Sequence, residues 1–354
     1  MENMTVLVTS IGTPIAHGIL KGLKEMGNIR IIGVDSRTLT AGNVFCDKVY
    51  RLPRFDQRKE AYFEKLKEVI EKENVQAIFP SHPQEISLYN DYTQHLSIPF
   101  ALPQSDQYEK LTDKAETYKL LEDKGLGKYL PIYYTFNSSD ALKKIIQSKF
   151  SDEDQLVVKD TSGHGATGFA LLTNHSRFLK AIEKQESRVF SFKDYLSTPI
   201  STKRMVMKNL EKPEYSVDVY VNDSETVVSV PRERTGVSNG LVLDGTVIEH
   251  TSLIAMSSEI AEAIIDEGFI NLQFMKDDGN FLLTDVNPRF CGSQIMSLGA
   301  GVNFPELFLT YRLTDERPIP RPKWNTRMLR YRESVFYYDY TPEKEPDVWT
   351  ATDD

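Results

Sequence analysis

The sequence predicts an α/β protein, with a parallel, doubly wound sheet at the N-terminal end and α+β character further on. Two patterns carry this. From Thr5 to Phe79, short apolar runs alternate with stretches of helical period, the signature of strands joined by crossover helices. Beyond Pro103 the strands come in hairpin pairs separated by Gly- and Asn-containing turns. A third observation sets the scale: 354 residues exceed one ordinary core, so two or three domains are expected.

The first strand is the apolar run Thr5-Val6-Leu7-Val8-Thr9, which ends in the turn Ser10-Ile11-Gly12-Thr13-Pro14. Ile15, Ile19, Leu20 and Leu23 then recur with helical spacing. Arg30 to Val34 reads as a second strand ending at Asp35, and Lys48 to Leu52 as a third, closed by Pro53. Phe63, Leu66, Val69 and Ile70 mark a helix, and Val75 to Phe79 a fourth strand. A Gly turn followed by an acidic strand end resembles a dinucleotide site. Gly12 and Gly18 alone, however, do not give the three-glycine spacing that lets a backbone approach a pyrophosphate. Gly12 therefore reads as a tight turn. Ser81 and Glu85 follow the fourth strand at the carboxyl edge of the sheet, where open α/β sheets place ligands, though both read first as loop residues.

Composition narrows the function classes. Net charge is −9 and pI about 5.4, which argues against a general nucleic-acid surface. No apolar run approaches membrane-spanning length and no basic leader precedes one, so a cytoplasmic location is expected, without membrane partners. Cys46 and Cys291 lack metal-ligand or redox spacing and read as buried free thiols.

Pro99 and Pro103 bracket a short strand and mark a boundary. Thr112 or Asp113 then caps a helix whose first turn carries Lys114. A cation there opposes the helix dipole and hints at a bound anion. Pro131 to Tyr134 gives a strand, and Ala141, Leu142, Ile145 and Ile146 a helix. Gln155-Leu156-Val157-Val158 delivers Lys159 to a loop that holds Ser162, Gly163, Gly165 and Gly168, and Phe169 to Leu172 returns as a strand. Such a hairpin can close backbone N–H groups over phosphates while the lysine neutralises them, although the spacing is not a Walker motif. Arg204 to Lys208 and Glu214 to Val221 are further strands, the second pairing with Thr226 to Val230. Arg232 and Arg234, one residue apart in an extended segment, share a face and suit a carboxylate or phosphate clamp; a charged surface strand explains them equally well.

The richest stretch is Asp285-Val286-Asn287-Pro288-Arg289, at the end of a hairpin strand entered through Asp277-Asp278-Gly279-Asn280. It offers two hard oxygen ligands for Mg²⁺ and one guanidinium fork. Gln273 stands on the opposing strand, where its amide oxygen can join the set. The C-terminal Met328 to Arg332 and Val335 to Tyr338 read as an added strand, and the acidic end from Glu343 as mobile.

In order and approximate spacing, residues 4 to about 338 resemble the ATP-grasp superfamily, in its carbamoyl-phosphate-synthase-large-chain-like, carboxylate–amine ligase branch. The resemblance implies a Rossmann-like pre-ATP-grasp domain over residues 1–103 and a two-lobed ATP-grasp domain over 104–330. The lid lobe would cover about 131–208 and the C-terminal lobe about 209–320, with a strand and acidic tail over 331–354. It also implies ATP and Mg²⁺ (or Mn²⁺) as cofactors. Lys114 and Lys159 match the phosphate lysines, Ser162 to Gly168 the mobile loop, and Glu214 the ribose acid. Main-chain groups from Lys208 to Leu210 would select adenine, because Met207 or Lys208 stands where the family often offers a carboxylate. Gln273, Asp285 and Asn287 match the metal ligands, the neutral Gln273 lowering the expected affinity. Arg289 would meet the transferred phosphoryl group, and Arg232 and Arg234 the substrate side. The implied reaction joins a small carboxylic acid to an amine, amino acids among them, through an acyl phosphate, releasing ADP and phosphate; a homodimer is compatible with it. Glu85 and His250 are weak general-base candidates that read first as structural.

Two readings from other classes stand beside this one. An ATP-binding regulatory or scaffold protein would keep a degenerate site, and an NAD(P)-dependent oxidoreductase would use residues 4–103. One grasp unit in place of two tandem halves argues against carbamoyl phosphate as the product.

Overall fold

The computed structural model describes residues 4–89, 96–163, 168–238, 240–331, 333–338, 340–341 and 346–351. The first strands and helices follow the predicted alternation: β1 (Met4–Thr9), α1 (Pro14–Glu25), β2 (Ile29–Asp35), β3 (Lys48–Arg51), α2 (Lys59–Glu73), β4 (Ala77–Phe79) and α3 (Pro83–Tyr89). β1 pairs in parallel with β2 and with β4, and β2 with β3. All six residues of β1 are buried, as a strand covered on both faces requires. Thr13 caps α1 by accepting from the Ala16 N–H, with Pro14 at the first helical position.

The next stretch holds α4 (Tyr108–Leu111), α5 (Lys114–Asp123), β5 (Tyr133–Phe136), α6 (Ser139–Lys149), β6 (Gln155–Asp160), β7 (Ala170–Thr173), α7 (His175–Glu183), β8 (Val189–Ser191), α8 (Phe192–Leu196) and β9 (Arg204–Lys208). Its five-stranded sheet runs in the order β5-β9-β6-β7-β8. Leu142, Leu156, Val158, Leu172 and Val206 form the core beneath it. The amphipathic helix α7 and the short β8 and α8 lie where no element was expected from the sequence.

The remaining elements are β10 (Glu211–Asn222), β11 (Glu225–Ser238), β12 (Leu241–Val247), α9 (Thr251–Ile264), β13 (Gly268–Asp277), β14 (Asn280–Asn287), α10 (Ile295–Gly299), α11 (Phe304–Leu313), β15 (Arg327–Leu329) and β16 (Val348–Thr350). Their six-stranded sheet has the order β14-β13-β10-β11-β12-β15. Asp278 and Gly279, both at positive φ, make the tight turn between β13 and β14.

By packing, the chain divides into one unit of residues 1–106, 217–271 and 287–354, and another of 107–216 and 272–286. This grouping differs from a linear division into 1–103, 104–330 and 331–354. The reason lies on α1: Gly18 lies against the Gln294 side chain and Gly22 against Asn303 and Pro305, so the N-terminal helix shares a core with α10 and α11. The mobile acidic end is corrected over Val348–Thr350, which pairs antiparallel with β3. The added C-terminal strand is confined to Arg327–Leu329; among the described residues 335–338 form no strand, and Arg332 lies outside those described.

Candidate functional site

In the unit of residues 107–216 and 272–286, the start of α5 is stitched to the end of β6. Asp113, not Thr112, is the cap, accepting from the N–H groups of Ala115 and Glu116 at 2.9 and 3.0 Å. The Lys114 N–H donates to the Thr161 carbonyl at 2.7 Å, and Asp113 bridges Ser162. Lys114 Nζ lies 3.2 Å from Asp285 Oδ1, both side chains about one-fifth exposed. Lys159 Nζ donates to the Thr284 carbonyl at 3.3 Å, one residue before Asp285. Burial pushes the Lys159 ammonium down from its ordinary range, while the charges of Asp285 and Glu214 pull it up and that of Lys114 adds to the lowering.

Lys114 is thus paired with Asp285, and Lys159 reaches the same strand one residue earlier. The repulsion between the two ammonium groups is offset by the charges of Asp285 and Glu214. The sequence names Lys114 and Lys159 separately; that both arrive at Asp285 is decided by how β6, α5 and β14 pack.

The loop after Lys159 needs its glycines at two described positions. Gly163 has φ +112° and Gly168 φ +72°, and a Cβ on Gly168 would sit 2.0 Å from Asp160 Oδ2. Arg204 holds that Asp160 carboxylate at 2.9 Å. Ser162 is exposed, and Gly165 lies outside the described residues. At the expected adenine hinge, the Lys208 ammonium is engaged by Asp277 at 3.1 Å, which raises its pKa. Main-chain groups are therefore what this stretch has to offer a base. Leu210 is buried and Glu214 half-buried on β10.

Asn287 closes β14, and Arg289 follows in the other unit. Asp285 and Asn287 are two positions apart on one strand, hence on one face. Arg289 folds back, donating to Asn287 Oδ1 at 2.8 Å and to the Phe290 carbonyl at 3.0 Å. Its charge reaches His82, whose imidazole is pushed down first by burial and then by Arg289.

The clamp expected of Arg232 is corrected. Its side chain is fully buried, paired with Asp218 and donating to the Ser293 carbonyl. Arg234 is 7% exposed and donates to the Gly240 carbonyl at 3.1 Å. Sequence reasoning also missed the buried Asp218, because Glu214, Ser216 and Asp218 alternate with apolar residues along β10 and read as one polar face. Cys46 and Cys291 are buried free thiols, Cys46 pushed up to about 12 by burial. Glu85 is wholly buried. The dinucleotide reading meets Asp35 already engaged: its carboxylate accepts from the N–H groups of Gly12 and Arg37 at 3.1 Å each and from the Arg37 guanidinium.

For a divalent cation, the available donors are one carboxylate and two amides. Among the described residues no three His, Cys, Asp or Glu cluster as a metal site. Asp285, Asn287 and the half-buried Gln273 each carry an oxygen of the kind a hard ion takes, and Asn287 Oδ1 accepts from Arg289.

A doubly wound N-terminal sheet, a lysine-bearing hairpin and a strand that ends in Asp-x-Asn-Pro-Arg make the chain similar to the ATP-grasp superfamily, with family models matching parts of it. Within it, residues 201–334 match the family described as ATP-grasp in the biosynthetic pathway with Ter operon, and residues 6–98 match the PylC-like N-terminal domain. No curated protein sequence matches the chain significantly. Among solved structures, an ADP complex of PurK, N5-carboxyaminoimidazole ribonucleotide synthetase, aligns at TM-score 0.66 and 16% identity, over 92% of this chain and 81% of that one. Biotin carboxylase from Campylobacter jejuni aligns at 0.64 and 16%, over 90% and 73%. An L-amino acid ligase from Bacillus licheniformis aligns at 0.63 and 14%, over 91% and 78%. At such identities the likeness is one of fold.

Proposed function

We propose that the protein is an ATP-dependent carboxylate–amine ligase that works through an acyl phosphate and releases ADP and phosphate. The observation that carries this reading is the convergence of Lys114 and Lys159 on Asp285. Two lysines that meet at one strand end offer ammonium donors suited to phosphate oxygens. Lys114 and Lys159 bind the nucleotide phosphates, Glu214 the ribose hydroxyls, and main-chain groups from Lys208 to Leu210 the base. Asp285, Asn287 and Gln273 would hold Mg²⁺, which supplies charge neutralisation on the phosphates. A carboxylate oxygen of the acid attacks the γ-phosphorus and ADP leaves, with Arg289 meeting the charge on the transferred group. The amine then attacks the acyl carbon and phosphate departs.

The relatives named above support a C–N bond-forming ligase, PurK and the L-amino acid ligase most directly. Small carboxylic acids and amines, amino acids among them, are the substrates to test. ADP and phosphate release would be measured with amino-acid mixtures and repeated with hydroxylamine, which intercepts an acyl phosphate as a hydroxamate. Asp285→Ala and Lys159→Ala proteins that fold yet lose ADP formation are the expected result; undiminished turnover in either sinks the proposal. The single carboxylate among the metal donors favours one rival, an ATP-binding regulator. Tight ATP binding with no product across a broad acid and amine panel would select it.

A further inference from the structure

Outside the residues assigned above, the most committed polar cluster surrounds Asp218, on β10. Its Oδ1 accepts from the Arg232 guanidinium, from Asn271 Nδ2 at 2.9 Å and from Cys291 Sγ at 3.6 Å; its Oδ2 accepts from Ser297 Oγ at 2.7 Å. Arg232, on β11, also donates to the Ser293 carbonyl and lies 3.7 Å from Cys291 Sγ. Both charged side chains are 0% exposed. One carboxylate and one guanidinium therefore tie β10, β11 and β13 to the turn over residues 291–294 and to α10.

That turn is the direct continuation of Asn287-Pro288-Arg289. Between them stands Phe290, 1% exposed and stacked on Phe269 with ring centroids 4.6 Å apart and planes 3° from parallel. The corner that carries Arg289 is thus anchored downstream at two levels, one apolar and one ionic. An apolar contact tolerates sliding. A carbonyl held by a fixed guanidinium does not, because hydrogen bonds weaken steeply with angle.

We infer that Arg232 and Asp218 are positioning residues, which fix the turn over residues 291–294 and through it the Asn287–Arg289 corner. Neither touches substrate. The inference rests on the ligase reading for its catalytic consequence, but not for the pinning itself. A pair retained for stability alone could be exchanged for apolar groups at little loss. The Ser293 carbonyl and Ser297 hydroxyl would then lose their anchor.

The test uses two proteins: Arg232→Lys, which keeps the charge but cannot bridge Asp218 and the Ser293 carbonyl, and Arg232→Met/Asp218→Leu, which removes both charges and guards against simple misfolding. Amide hydrogen exchange, read peptide by peptide, is expected to speed up roughly tenfold or more over residues 290–297 in both proteins. The peptide carrying Lys159 should be unchanged. In steady state kcat should fall about 10- to 100-fold, with KM for the acid and for ATP within about twofold. Unchanged exchange over 290–297 would overturn the inference, as would a raised KM for the acid at constant kcat, the mark of a direct substrate clamp. A wild-type protein that forms no ADP would overturn the ligase reading instead, leaving the exchange result to judge the pinning.

Discussion

Three carboxylates in this chain meet three different surroundings. Asp285 faces Lys114 at 3.2 Å with both side chains about one-fifth exposed. Asp218 faces Arg232 with neither exposed at all. Glu85, equally buried, has hydroxyls as hydrogen-bond partners: Thr9, Ser10, Tyr62 and Tyr89. The first pair is half-open and can exchange partners when an anion or a cation arrives. The second is sealed and directional, suited to holding backbone in place. Among the described residues the third has no cation as hydrogen-bond partner to offset its desolvation, and burial raises its pKa to about 7. Nearly identical groups thus differ in what they can do, according to solvent access and partner.

Removing one side of the sealed pair should have the largest effect on stability. Arg232→Met leaves the Asp218 charge buried without its cation, and urea unfolding should show a loss of about 3–5 kcal/mol. Arg232→Met/Asp218→Leu should recover most of that loss; a double variant as unstable as the single one would mean the pair is not what the single substitution breaks.

Beside the open pair, Lys159→Ala should lower kcat for ADP formation by roughly 10²- to 10³-fold while thermal unfolding stays near wild type. Equal losses of activity and stability would place Lys159 in the packing rather than the chemistry.

Glu85 is tested by pH. Its folded pKa of about 7 lies above the unfolded value of 4.5. The folded state therefore holds its proton more tightly, and the contribution is fully present below pH 4.5 and lost as pH rises through 7. That loss is about 3 kcal/mol at 1.36 kcal/mol per unit. Relative to Glu85→Gln, the wild-type urea midpoint should fall across this window; parallel curves for the two proteins would refute the assignment.

The smallest effect belongs to Lys114. Its ammonium is partly solvated, so Lys114→Ala should raise KM for ATP about tenfold, or about 1.4 kcal/mol, and added salt should shrink the difference between the two proteins.

Much of the fold was legible because it rests on local periodicity. The limits of β6 and β9 coincide with the stretches read from their apolar runs, and β1 and α1 follow from an apolar run, a Thr cap and Pro14. The elements β8 and α8 were not legible, because segments of three and five residues carry too little period; α7 shows an apolar stripe at Phe178, Ala181 and Ile182 that was available but not read. The edge strand Val348–Thr350 escaped because its acidic, exposed surroundings resemble a tail until β3 offers hydrogen bonds. For the site, Asp285, Asn287 and Arg289 stood out through their packing into five residues, and Lys159 through its place ahead of three glycines. Arg232 and Arg234 were read correctly as extended and on one face, but alternation does not say which face is buried.

The sequence by itself determined the strand and helix order of the N-terminal sheet, the glycines after Lys159 and the cluster of oxygen and guanidinium groups at 285–289, since each depends on neighbours a few positions apart. Only the tertiary structure decided that Lys114 meets Asp285, 171 positions later, while Arg232 is spent on Asp218 and Ser293. The physical reason is burial. Whether a charge is offered to a ligand or locked into the frame depends on which surfaces exclude water from it, and long-range packing alone sets that.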